Sequence, residues 1–131
     1  MPYEIAFSKP VALGSAEHYF NECCYGGDIV SQEFLPLITA HYHSIRAEQE
    51  DWGWFIWFRD AEVSLAVDIF CDDPSRGTFR IHLNSRTRRW LWFQRTTDTP
   101  ELERLKDLVV EKLSSWVGRS VDVRRFDADE R

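Results

Sequence analysis

The chain has 131 residues, 44% apolar and 15% aromatic with six Trp, enough for one domain whose core needs neither disulfide nor metal. Its net charge of −6 argues against a surface that serves as a whole to bind nucleic acid or anionic membrane. No apolar run reaches the roughly 20 residues of a membrane span, and "MPYEIAFSKPVALGSAEHYF" lacks the basic-then-apolar order of a signal peptide.

Residues 3–7, "YEIAF", read as a short strand, and the rest of 1–30 as an irregular segment that covers the sheet or its edge. Gly26 and Gly27 there require a turn or a close backbone approach. The neighbouring Cys23 and Cys24 match no C-x-x-C signature. With Cys71 they make an odd count, which reads as free thiols in a reducing cytoplasm.

Residues 31–50 read as a helix with Ser31 as N-cap, Pro36 in the first turn, and Phe34, Leu37, Ile38, His41 and Ile45 on one face. On such a helix His41 and His43 point about 200° apart and cannot share an ion. No H-E-x-x-H or paired C-x-x-C occurs, so no metal site and no cofactor is expected. Strands follow at 52–59, 63–71, 78–84 and 90–95, joined by short connections that imply a meander of hairpins. Residues 98–118 form the second helix: Thr99 caps it, Pro100 opens it, Leu102, Leu105, Val109, Leu113 and Trp116 make its stripe, and Gly118 stops it. Residues 120–126 can add a last strand.

The expected fold is α+β in two layers: a single domain over 1–131, with an antiparallel sheet of four to five strands and two helices packed on one face. Matching apolar faces sets the register. A turn at Asp60 and Ala61 places Trp54 opposite Val67, Ile56 opposite Leu65 and Gly53 opposite Asp68. A loop over 72–77 places Ile69 opposite Ile81, Val67 opposite Leu83, Asp68 opposite His82 and Phe70 opposite Arg80. One face is then wholly apolar and includes Trp52 and Trp54. The other carries Phe55, Trp57, Ala66, Asp68, Phe70, Arg80, His82 and Asn84, with Trp90 and Trp92. Neither face of "WGWFIWF" (52–58) suits water, so residues 1–30, a second subunit or a ligand must cover the second one.

That row yields a candidate pocket of Asp68, Arg80 and His82 walled by Trp57 and Trp92. A carboxylate beside an imidazole also has the chemistry of an acid–base pair. Between Arg76 and Thr97 there are six arginines and no acid, so all twenty-two acids lie elsewhere. "NSRTRRW" (84–90) reads as a hairpin tip, with Arg86, Arg88 and Arg89 as a candidate anion site. Three functional readings follow. The first is a cytoplasmic binding or interaction domain, either a homodimer or a receptor for a small-molecule or protein ligand on the second face. The second is a small enzyme using Asp68 and His82. The third is a binder of anions or single-stranded nucleic acid through the arginines, with nucleic acid disfavoured by the net charge.

Overall fold

Period-two patterning runs through more of the chain than the sequence reading assigned to strands. The computed structural model describes residues 2–13, 16–90, 93–96 and 98–126. Among these, one antiparallel sheet contains β1 (Tyr3–Ser8), β2 (His43–Glu50), β3 (Gly53–Asp60), β4 (Val63–Asp73), β5 (Thr78–Trp90), β6 (Phe93–Thr96) and β7 (Asp122–Arg125). The order is β2-β3-β4-β5-β1-β7, with β6 paired to the distal part of β5. Helices α1 (Gly27–His41) and α2 (Pro100–Val117) complete the α+β architecture. The expected four to five strands are exceeded because β1 and β7 both join the sheet and because residues 43–50, expected as helix, form β2. No helix among the described residues is long and apolar enough to cross a membrane.

The predicted helix over 31–50 divides. α1 begins at Gly27, ahead of Ser31, and takes its N-cap from the left-handed Gly26. Pro36 lies inside the helix, and Val30, Phe34 and Ile38 face the core, while His41 is exposed. At Tyr42 the chain turns extended, and Ser44 at φ 56° starts a bulge. Beyond it Arg46, Glu48 and Glu50 alternate with Ala47 and Gln49 against β3. Locally "RAEQE" is good helix-forming sequence. The open edge of β3 overrides that preference, as pairing commonly does in sheets.

α2 matches its reading. Thr99 Oγ1 accepts the Leu102 N–H at 3.1 Å and donates to Ser85 Oγ at 3.1 Å, which ties the helix start to β5. Gly118 closes the helix in the left-handed region, its N–H bonded to the Ser114 carbonyl. Leu102, Leu105, Val109 and Leu113 are buried with Val30, Phe34 and Ile38 of α1 against Ile56, Phe58, Leu65, Val67, Ile69, Ile81 and Leu83. Both helices therefore share one sheet face. Each such side chain contributes roughly 1.5–3 kcal/mol by leaving water. Lys112 reaches Glu33 at 3.2 Å and links the helices across their outer surface.

The β4–β5 register is the expected one: Ile69 pairs Ile81, Val67 pairs Leu83, Asp68 pairs His82 and Phe70 pairs Arg80. The β3–β4 register is shifted by two residues from the expected one. Ile56 pairs Val67 and Phe58 pairs Leu65, because Ala61, at φ 52°, and Glu62 alone form the turn after Asp60. Face parity survives and the opposing partners change. Gly53 lies against Ile69, where an added Cβ would sit 2.1 Å from the Ile69 carbonyl oxygen. Its φ of +152° is one that side-chain-bearing residues rarely adopt, and it breaks the alternation. Trp52 accordingly packs at a tilt on Phe70, at 5.0 Å between centroids, rather than joining the core face.

Candidate functional site

Phe55 is fully buried and Trp57 is 43% exposed. Their rings stack at 4.2 Å, and the Arg46 guanidinium lies 5.5 Å from the Phe55 centroid and 5.8 Å from that of Trp57. Among the described residues, the side chain lying over these two rings is therefore a basic one from β2, a segment expected as helix. Residues 16–26 go to the core side instead. There Trp54 Nε1 donates to the Cys24 carbonyl at 2.8 Å, and Gly27 leaves the space the Trp54 ring fills.

The second face has two unlike halves. Over β5, β1 and β7 it is closed by ions and rings. His82, 5% exposed, meets Glu4 Oε2 through Nε2 at 2.9 Å. Phe70 and Phe126 flank the imidazole at 4.8 and 4.3 Å. Arg124 Nε donates to Glu4 Oε1 at 2.8 Å, and that bond holds the Glu4 carboxyl down at about 2 against the opposing effect of burial, with His82 adding to it. Arg80 donates to Asp72 at 2.8 and 3.1 Å and stands 3.5 Å from Glu4.

Over β2, β3, β4 and β5 the face is hollow. A groove of about 350 Å³ opens there. Its floor is a cross-strand row, Arg46–Trp57–Ala66–Asn84, one residue from each of the four strands. The next row, Arg59–Ser64–Arg86, forms its end. Ala66 creates the hollow: a methyl group stands between an indole and a carboxamide, so the volume above it is empty. Phe55 takes one face of the Trp57 ring, and the exposed part lines the groove. Asp68 borders it, 3.4 Å from Trp57 Nε1. Asn84 is 3% exposed, lines the groove, and makes no side-chain hydrogen bond among the described residues. Arg86 is exposed and has no carboxylate partner among them.

The structure thus divides the expected pocket. Asp68 and His82 are opposite one another, as read, but the carboxylate bonded to the imidazole belongs to Glu4. Asp68 and Trp57 line the groove; Arg80 and His82 belong to the closed half. Trp92 lies outside the described residues, and Arg88 and Arg89 are described in their backbone alone. Residues 84–90 form no hairpin tip: β5 continues to Trp90, and Arg86 and Arg88 pair with Thr96 and Gln94 of β6. Arg46, Arg59, Ala66 and Asn84 were absent from the predicted site. Their signal is a small Ala in a row of large residues, and only the observed β3–β4 register sets Trp57, instead of Phe55, opposite it.

Cys23 is exposed, while Cys24 and Cys71 are buried. The Cys24 thiol donates to the Glu50 carbonyl at 3.1 Å, and burial raises its pKa. Burial pushes the Cys71 thiol to about 12. Both shifts oppose thiolate formation, the reverse of what a nucleophile needs. Among the described residues no cluster of three or more His, Cys, Asp and Glu could hold a metal ion.

Fold and site together define a helix-backed antiparallel sheet with a polar, aromatic-walled groove on its open face. No family model matches this chain, nor does any curated protein or solved structure.

Proposed function

We propose that this protein is a small binding domain that takes a small-molecule ligand in the groove above Ala66. The observation that carries the reading is Asn84. Its carboxamide lines the groove and makes no side-chain hydrogen bond to a described residue, so its donor and its acceptor are both available to a ligand seated there. The groove's volume falls within the rough range of 300–1,000 Å³ common to ligand sites. Free thiols accord with a cytoplasmic setting.

Self-association is the second reading, supported by the exposure of Trp57. Its motive is reduced, because Arg46 and Trp57 already cover Phe55. The acid–base reading has less support: His82 is bonded to Glu4, covered by Phe126, and outside the groove.

Two-dimensional NMR with a set of small aromatic fragments tests the proposal. Fragments should shift the Trp57 indole N–H and the Asn84 side-chain amide, and Ala66→Phe, which fills the groove, should abolish both shifts. Shifts that persist in Ala66→Phe, or that map elsewhere, would overturn it. A sedimentation coefficient that falls on dilution in the wild type but not in Ala66→Phe would favour the dimer instead.

A further inference from the structure

We infer that the ligand is a planar nitrogen heterocycle carrying a phosphate, of mononucleotide size; this rests on the groove being a ligand site. Four independent features converge on that chemistry. Trp57 offers an exposed indole with its other ring face already held by Phe55, so the platform is rigid and a flat ring can stack on it. Asn84 supplies a carboxamide with both a donor and an acceptor, the pair that reads the edge of a nitrogen heterocycle. Ala66 between them leaves room for the ring.

The fourth feature is charge. Arg46, Arg59 and Arg86 line the groove against one carboxylate, Asp68, in a chain whose net charge is −6. Positive potential is therefore concentrated here against the sign of the whole molecule, which draws an anion to this place. Arg46 is engaged with Glu48 at 2.9 Å, and Arg59 donates to Ser64 Oγ at 3.3 Å. Arg86 has no such engagement among the described residues, so its guanidinium is the one available to phosphate.

The spacing fits. Strands stand about 4.8 Å apart, so Trp57 and Asn84, two strands distant, are roughly 10 Å apart at the backbone. Successive same-face residues along a strand are about 7 Å apart, which sets the Arg59–Arg86 row that far from the ring. A heterocycle over Ala66 with a phosphate one sugar away spans those two rows. The acidic remainder of the chain would repel a long polyanion, so the free nucleotide is favoured over a strand.

Isothermal titration calorimetry at low salt decides it. The titrants are the four nucleoside 5′-monophosphates, the matching nucleosides, inorganic phosphate, and a short single-stranded oligonucleotide. At least one mononucleotide should bind with a Kd of about 1 mM or tighter, its nucleoside at least about tenfold more weakly. Arg86→Gln, an exposed position, should reduce the nucleotide to the affinity of the nucleoside, and Ala66→Phe should abolish binding of both. Inorganic phosphate binding as tightly as the nucleotide would overturn the inference, since the arginines would then hold any anion. Binding of the oligonucleotide alone would overturn it in favour of a strand. If fragments shift Trp57 and Asn84 while no mononucleotide binds, the groove remains a ligand site and this assignment of its ligand is wrong. If neither occurs, both fail.

Discussion

Gly53 and His82 show how single residues set this sheet. Gly53 holds the backbone conformation that lets Trp52 and Trp54 diverge, the first to Phe70 and the second to the core. Gly53→Ala would push a Cβ into the Ile69 carbonyl, a backbone atom that cannot swing aside. With strain at that φ and a lost ladder contact, it should cost at least about 2 kcal/mol in urea unfolding. His82 is a buried partner of Glu4 held between two rings. His82→Ala should therefore cost roughly 2–4 kcal/mol, from lost packing and a carboxylate deprived of one partner. It should leave ligand binding at Trp57 intact, which NMR titration of the variant checks. A cost under 0.5 kcal/mol, the ordinary ceiling for a neutral surface change, would remove His82 from the architecture.

At the scale of elements, the two helices contrast. α2 carries its own boundaries: an N-cap, a Pro at the first position, acids in the first turn and a terminal Gly. Its Thr99 has a second duty, since the same hydroxyl donates to Ser85 inside the sheet. Thr99→Ala should lower stability by about 1–2 kcal/mol, and Thr99→Ser, which keeps the oxygen, should recover most of it. Differential scanning calorimetry of the two variants separates them. α1 lacks a side-chain cap and has Gly26 at its N-cap, where Trp54 and the Tyr19–Asp28 hydrogen bond of 2.6 Å organise the turn. β2 has no boundary signal that the sequence reading could use. It is a strand because β3 offers an edge, and it brings Arg46 over Phe55 and Trp57.

For the whole molecule, the first and last strands meet at Glu4. β1 joins β7 there, and Phe126 N–H bonds to the Pro2 carbonyl at 3.0 Å. Tyr3 donates to Glu103 and so fastens α2 to the same strand. Glu4 faces Arg124, His82 and Arg80, and its pKa falls from 4.5 to about 2 on folding. A carboxyl depressed in the folded state stabilises above its unfolded pKa, and that stability drains as pH falls through the folded value. The contribution is thus complete above about pH 5 and lost between there and pH 2, on the order of 3 kcal/mol before the screening at exposed Arg124. Glu4→Gln should flatten the stability curve over that window, and urea midpoints from pH 2 to 7 measure the difference. An unchanged slope would show that the acid sensitivity resides elsewhere.

The sequence by itself determined α2 entire, the two-face parity of the strands, and the β4–β5 pairing that sets Asp68 opposite His82. These depend on contacts within a turn of helix, on a period of two, or on the short connection between Asp73 and Thr78, all of which are local. Only the tertiary structure decided that residues 43–50 extend, that the partner of His82 is Glu4, 78 residues away, and that the hollow lies over Ala66. A strand edge is satisfied by whatever segment reaches it, and a two-residue shift of register keeps every side chain on its face while changing all its neighbours. A groove made by a small side chain is a property of those neighbours. It therefore emerges only when four strands, joined in register, place Trp57, Ala66 and Asn84 in one row.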